Sequence, residues 1–374
     1  MKRSLYAIIA CIIFLSACST APAESTTNTP VQPEPATPAP AATQPAVVVV
    51  DALGRELTFK TPPSRIVITG KGLILTLDAA YMFPEASDRI VALGNANQGS
   101  GNFVSLIDPN FDKKVILQTD AGAEQIAAVN PDLVILKSYL ADTVGKPIEA
   151  LNIPVLYVDF ETPEQYTRDL EILGKVFQNE TRAQELVEYY LTQANAIQTT
   201  LKDVKEKPNV LLLYYNDKDG VVAFNVPPMS WIQTQMVETA GGNPVWGSAN
   251  LGKGWTVVTL EQIAAWDADQ IYIISYVKNS AEIVAALKSD PQWQALRAVK
   301  QGQLYGFPAD VYSWDQSDSR WILGLSWLAA RLHPESFLQF DILQKTQEFY
   351  QQLYGLDAQF FEAKIRPTFR GDLP

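Results

Sequence analysis

The chain predicts an α/β protein: two parallel-sheet α/β lobes joined by a long bridging helix, with a cleft between the lobes. Three observations carry this. An internal echo pairs Glu124-Gln125-Ile126-Ala127-Ala128-Val129-Asn130-Pro131-Asp132-Leu133-Val134-Ile135 with Glu261-Gln262-Ile263-Ala264-Ala265-Trp266-Asp267-Ala268-Asp269-Gln270-Ile271-Tyr272. Each copy reads as a short amphipathic helix, a tight turn and a buried strand, so the body repeats a lobe and not a small solenoid unit. Short continuous apolar runs alternate with helical patterns, which implies parallel sheets covered on both faces. Between the two copies runs an amphipathic stretch from Glu180 to about Val204, at 1.5 Å per residue a rod of roughly 37 Å.

Taken in order, the first element is an apolar run from Leu5 to Leu15 behind Lys2-Arg3. It is too short for a permanent membrane span and has the charge layout of a secretory signal. Leu15-Ser16-Ala17-Cys18 resembles the lipobox of bacterial lipoproteins. That resemblance implies removal of residues 1–17 and acylation of Cys18, with more than one chain, because a single acyl chain binds membranes only marginally. Residues 18–47 are rich in Pro, Ala, Thr and Gln and poor in large apolar residues. Such a stretch cannot offset its ordering entropy by burial and reads as a tether.

Residues 48–163 form the first lobe. Val47 to Phe59 reads as a hairpin turning at Leu53-Gly54-Arg55. Strands follow at Arg65–Thr69, Arg89–Gly94, Leu133–Leu136 and Val155–Val158. Residues 164–207 form the bridge, where Ala183, Leu186, Val187, Tyr190, Leu191, Ala194, Ile197, Leu201 and Val204 recur at helical spacing. Asn179 caps this helix, and Pro208 lies beyond its end. Residues 208–374 form the second lobe, with strands at Asn209–Tyr215 and Ile271–Ile274. A helix from Arg320 to Arg331 there places Trp321 and Trp327 in the core.

Composition narrows the function. The net charge of −12 becomes more negative once Lys2 and Arg3 leave, which disfavours nucleic acid and anionic lipid as partners. Of the two cysteines, Cys11 goes with the signal and Cys18 takes lipid, so the body is expected to hold neither a disulfide nor a cysteine metal site. The single histidine, His333, stands where a helix stops, and Gly324-Leu325-Ser326-Trp327-Leu328 lacks the second glycine of a nucleophile elbow. A monomer without resident cofactor or metal, and without catalytic residues, is expected.

Val50-Asp51-Ala52-Leu53-Gly54-Arg55 with Pro63-Ser64-Arg65-Ile66-Val67, and Ala123-Glu124-Gln125-Ile126 with Asn130-Pro131-Asp132-Leu133-Val134-Ile135, resemble the helix-bridged (class III) substrate-binding proteins of ABC transporters. This is the family of iron-siderophore, haem and vitamin B12 binders. The resemblance covers nearly the whole body. It implies a lipid-anchored extracytoplasmic protein that delivers a ligand to a permease and its ATPase. It also implies that Glu124 and Glu261, one per lobe, meet arginines of the permease. The implied ligand is an iron-siderophore, a corrinoid or a related metal complex. A small oxyanion such as molybdate or tungstate is the alternative, since Trp314-Asp315…Arg320-Trp321 resembles relatives that take such anions. A ligand-presenting sensor is a further one.

Ligands in such folds sit outside the carboxyl ends of strands. Candidate contacts are therefore Lys71 between two glycines after the first strand, and Asn95 opening a polar loop. Tyr139 and Tyr276 follow the paired repeat strands, and Tyr215 ends the strand from Asn209. Trp255 precedes Glu261 by six residues, where the family's B12 binder also carries a cleft tryptophan. Tyr312, Trp314 and Asp315 lie before the last helix, at the rim of the second lobe. Arg320 is either a ligand contact or a helix-start residue tied to a neighbouring loop.

Overall fold

The computed structural model describes residues 46–373 apart from 97, 100, 219, 251 and 253. The signal segment, Cys18 and all but the end of the tether lie outside the described residues. β1 (Val47–Val50) and β2 (Glu56–Phe59) pair antiparallel as the expected hairpin. Asp51 builds the turn: its Oδ1 accepts from the backbone N–H of Leu53 at 2.9 Å and of Arg55 at 3.0 Å. Gly54 takes φ 76° there, a left-handed conformation that costs glycine little.

The first lobe is a parallel sheet of β3 (Ile66–Ile68), β4 (Ile90–Gly94), β5 (Val115–Leu117), β6 (Leu133–Lys137) and β7 (Val155–Val158). The strand order is β5-β4-β3-β6-β7, so the chain winds outward from β3 in one direction, then returns and winds in the other. Such a switch point opens a crevice at the carboxyl end of the central strand. β3, β6 and β7 are buried throughout, as their unbroken apolar runs require. α1 (Leu73–Ala80) starts directly at this crevice, after Gly70 and Gly72. α2 (Ala123–Ala127) leads into β6.

α3 (Pro163–Phe177) and α4 (Glu180–Leu201) follow, the latter being the 22-residue bridge. Asn179 caps α4 by accepting from the Arg182 N–H at 3.1 Å. The two helices meet closely at Gly174, where a Cβ would stand 2.5 Å from Ala183. Ala183, Leu186, Tyr190, Ile197 and Leu201 are buried as the spacing predicts, whereas Leu191 is 49% exposed, because it falls on the far side of Tyr190.

The second sheet contains β8 (Asn209–Lys218), β9 (Val221–Val226), β10 (Asn243–Pro244), β11 (Thr256–Val258), β12 (Gln270–Ile274) and β13 (Leu304–Gly306). Its path is β11-β9-β8-β12-β13, with β10 also on β8. The α/β class holds, with one addition: β8, β12 and β13 are parallel, but β9 and β11 extend the sheet antiparallel. α5 (Ile232–Thr239), α6 (Leu260–Trp266), α7 (Trp321–Leu332) and α8 (Ile342–Tyr354) complete it. Trp321 and Trp327 are core residues of α7. His333 ends α7, its Nε2 3.2 Å from the Gly241 carbonyl oxygen. No helix among the described residues is long and apolar enough to cross a membrane.

Candidate functional site

A cavity of about 170 Å³ lies between the lobes at the carboxyl ends of the parallel strands. Leu75 and Glu161 line it from the first lobe; Trp231, Gln233, Trp255, Tyr276, Gln316 and Ser317 line it from the second. A larger hollow of about 1130 Å³ sits on the outer face of the second lobe, beside Gln270 and Gln303. That hollow is at the amino ends of β12 and β13, the wrong end of an α/β sheet for a ligand site.

Aromatic rings make the second-lobe wall. The Tyr214 ring lies 5.0 Å from Trp255 and 4.7 Å from Tyr276, and Trp231 meets Trp255 edge-on at 5.6 Å. Behind them Asp315 is fully buried. It accepts from Tyr276 Oη at 2.9 Å, Gln233 Nε2 at 3.2 Å and Ser313 Oγ at 2.6 Å. Burial raises the Asp315 pKa, and these donors oppose the shift. The carboxylate thereby orients Tyr276 and Gln233, both of which face the cavity.

The first-lobe wall sets Leu75 beside Glu161, and polar groups surround it. Lys71 is exposed, and its carbonyl accepts from Tyr139 Oη at 2.8 Å. Burial, then the charge of Glu161, pushes the Tyr139 hydroxyl up to about 12. Glu161 follows β7 and pairs with Lys137 Nζ at 2.6 Å. Lys137 ends β6 and is almost fully buried; burial lowers its pKa, against the pull of Glu161.

Direct links hold the walls together. The Gly99 N–H donates to the Tyr276 carbonyl at 3.1 Å, and Gln98 Nε2 to Gln316 Oε1 at 2.8 Å. Gly99 has φ 73°, and a Cβ there would stand 2.0 Å from the Val311 carbonyl oxygen, so the crossing requires glycine. Deeper in, Arg320 Nη1 reaches Asp78 of α1 at 2.6 Å.

The expected residues therefore divide. Trp255 and Tyr276 line the cavity and Asp315 lies behind Tyr276, whereas Lys71 and Tyr139, joined to each other, are outside its lining. Asn95 is exposed outside the lining, with its N–H donated to the Leu117 carbonyl. The expectation for Tyr215 is corrected: strand alternation turns it to the other face of β8, against Phe224 at 5.8 Å, and brings Tyr214 to the cleft. Trp314 is also corrected. It is fully buried, its indole N–H donates to Asp310 at 3.0 Å, and its ring packs on Phe369. Polar neighbours in sequence did not mean a solvent face, because Asp310 satisfies the indole from within the core. Tyr312 is buried and accepts from the Phe103 N–H at 3.2 Å, a lobe-to-lobe contact and not a ligand contact. Arg320 is fully buried and spent on Asp78, Asp310 and Asp318, which decides between its two readings in favour of a structural tie. Glu124 and Glu261 are both exposed at the starts of α2 and α6.

Sequence reasoning missed Tyr214, Trp231, Gln233 and Glu161. Glu161 had a usable signal, since it closely follows the carboxyl end of a parallel strand. Trp231 and Gln233 had none, as the antiparallel extension that frames them was not foreseen.

A sequence profile described as periplasmic binding protein matches residues 87–311. The molybdate-binding protein MolA of Haemophilus influenzae is 22% identical over 330 residues, covering 82% of this chain and 90% of the relative. Among solved structures, a periplasmic solute-binding protein of Veillonella parvula superposes with TM-score 0.68 at 20% identity, covering 86% of this chain and 97% of its own. CeuE of Helicobacter pylori, solved in a Ni–His complex, superposes with TM-score 0.65 at 20% identity, covering 86% and 99%.

Proposed function

We propose that this chain, which belongs to the periplasmic binding protein family and is the extracytoplasmic solute-binding component of an ABC transporter, captures a compact metal complex between its lobes. Like its relatives it is a binding protein and not an enzyme; the permease and its ATPase are the partners that do the transport work.

The observation that carries the ligand reading is the ring wall of Trp231, Trp255 and Tyr276, with Tyr214 packed against the last two, facing Leu75 and Glu161 across the cavity. Aromatic rings offer large, rigid, polarisable contact to the organic shell of a chelate. The cavity of about 170 Å³ is smaller than the ~300–1,000 Å³ of pockets for drug-sized ligands, so a corrinoid or haem would require the lobes to part. A complex the size of nickel–histidine, as in the CeuE structure, suits it better.

The oxyanion reading is supported by the likeness to MolA and by Lys71 beside the start of α1, where backbone N–H groups favour anions. It is weakened by the engagement of Arg320 with three carboxylates. Titration of tryptophan fluorescence separates the two. Nickel(II)–histidine or ferric citrate should quench wild type, and Trp255→Ala should lose much of the change and about tenfold in affinity, the scale of a lost aromatic contact. Micromolar molybdate binding without response to either complex would overturn the choice.

Anchoring by lipid at Cys18 and the tether over residues 18–47 belong to the same proposal, supported by the Leu15-Ser16-Ala17-Cys18 motif. So do the lobes at 48–163 and 208–374 about the bridging segment 164–207, and docking of Glu124 and Glu261 on the permease. Uptake lost with the gene, and binding retained in the purified protein, would distinguish transport from a sensor role.

A further inference from the structure

We propose that an anionic oxygen of the ligand exchanges with the Glu161 carboxylate on the Lys137 ammonium, making Lys137 the anion-binding residue of the cleft. This rests on the inter-lobe cleft being the ligand site, as argued above.

Lys137 is 1% exposed and Glu161 39%, although they share one ion pair at 2.6 Å. The lysine is fixed, while its partner lines the cavity. The other acids near Lys137 are committed elsewhere. Arg168 holds both Asp159 and Asp169 at 2.7 Å, and Asp159 also accepts from Ser138. Lys137 keeps one permanent bond, to the Asp159 carbonyl. Among the described residues the Glu161 carboxylate has no partner besides Lys137.

The backbone beneath Glu161 is built to hold this arrangement. Phe160 has φ 49°, a left-handed conformation that a bulky residue adopts only under constraint. The constraint is Asp169, whose Oδ2 accepts from the N–H groups of Asp159 at 2.6 Å and Phe160 at 2.8 Å. Gln165 Oε1 accepts from the Glu161 N–H at 3.1 Å. The main chain is thus pinned while the glutamate side chain can rotate outward into water.

Exchange keeps the buried ammonium neutralised. A carboxylate, a hydroxamate-type oxygen or an inorganic oxyanion replaces one anion with another, and Glu161 regains full hydration. A cationic ligand gains nothing from Lys137 and would leave the pair intact. Lys71 and the start of α1 lie on the same wall: a Cβ at Gly72 would stand 3.8 Å from Lys137 Cγ. They would add positive potential around the incoming oxygen.

The test titrates cleft tryptophan fluorescence with ferric citrate and with sodium molybdate in wild type, Glu161→Gln and Lys137→Met. Removing the competing charge in Glu161→Gln should tighten binding about threefold to tenfold. Lys137→Met should weaken it about tenfold or more. Should Lys137→Met fail to fold, Glu161→Ala must still show the tightening. Weaker binding in Glu161→Gln would mean that the carboxylate itself holds the ligand and would overturn the exchange; so would unchanged affinity. Tightening in Glu161→Gln without loss in Lys137→Met would overturn the role of Lys137. A wild type that binds neither probe would overturn this inference; if it still binds nickel(II)–histidine, the ligand reading stands without it, and if it binds none of the three, both fall.

Discussion

Arg320 meets Asp78 at 2.6 Å, Asp310 at 2.6 Å and Asp318 at 3.1 Å, all four side chains without solvent. One guanidinium cannot compensate three buried carboxylates. Burial, only partly offset by Arg320, pushes Asp318 up to about 8 and Asp78 up to about 6. In the folded protein these acids hold protons that the unfolded chain releases near pH 4. Stability therefore rises as pH falls from about 8 towards 5. Asp318→Asn should flatten that slope in urea unfolding followed between pH 5 and 8; a slope equal to wild type would show that Asp318 is not the group. Arg320→Met strands the three acids and should cost about 3–5 kcal/mol in the same measurement at pH 7.5. Urea midpoints matching wild type would contradict the central place given to this cluster.

The two repeated helix starts are capped in the same way. In each, the glutamine three residues beyond the cap folds back on the backbone: Gln125 Oε1 accepts from the Gly122 N–H at 3.0 Å, and Gln262 Oε1 from the Thr259 N–H at 2.9 Å. The neighbouring glutamates are left exposed. At Glu261 its own backbone N–H and Thr259 hold the carboxyl below the usual range, so it stays charged. Glu124→Ala and Glu261→Ala should each cut ligand uptake by cells several-fold while leaving calorimetric affinity unchanged. Gln125→Ala and Gln262→Ala should instead lower stability by about 1 kcal/mol each and spare uptake. Glutamate variants with normal uptake would remove both residues from the permease interface. The repeat was legible because capping chemistry is local. The choice between Tyr214 and Tyr215 was not, because it depends on which face of β8 the neighbouring strands cover.

At the scale of the molecule, α4 is one of several ties between the lobes. Arg182 of α4 donates to the carbonyls of Gln352 and Leu353 in α8, and Tyr354 Oη donates to the Asp78 carbonyl in α1 at 3.1 Å. With Arg320–Asp78 these contacts resist a wide hinge, so ligand capture should be a small adjustment. Small-angle scattering with and without ferric citrate should show a radius of gyration changed by less than about 1 Å; the wide domain closure of a true hinge would exceed it. Cys18→Ser should move the protein from the membrane fraction to the soluble fraction, since the tether is not apolar. Retention in the membrane after signal cleavage would refute the lipid anchor.

By itself the sequence determined what depends on neighbours along the chain. Apolar runs marked the strands, helical spacing marked α4, and the Glu-Gln-Ile echo marked the paired helix starts of two lobes. Tertiary structure decided what depends on residues far apart. Trp314 and Arg320 stand beside polar Ser313, Gln316 and Asp318 and look exposed, yet Phe369 packs on the first and Asp78 pairs with the second from far along the chain. Lys137 and Glu161 become partners only when β6 and β7 lie side by side. A polar group is stable in a core only with its partner in place, and that partner is supplied by the packing of lobes, which no local pattern records.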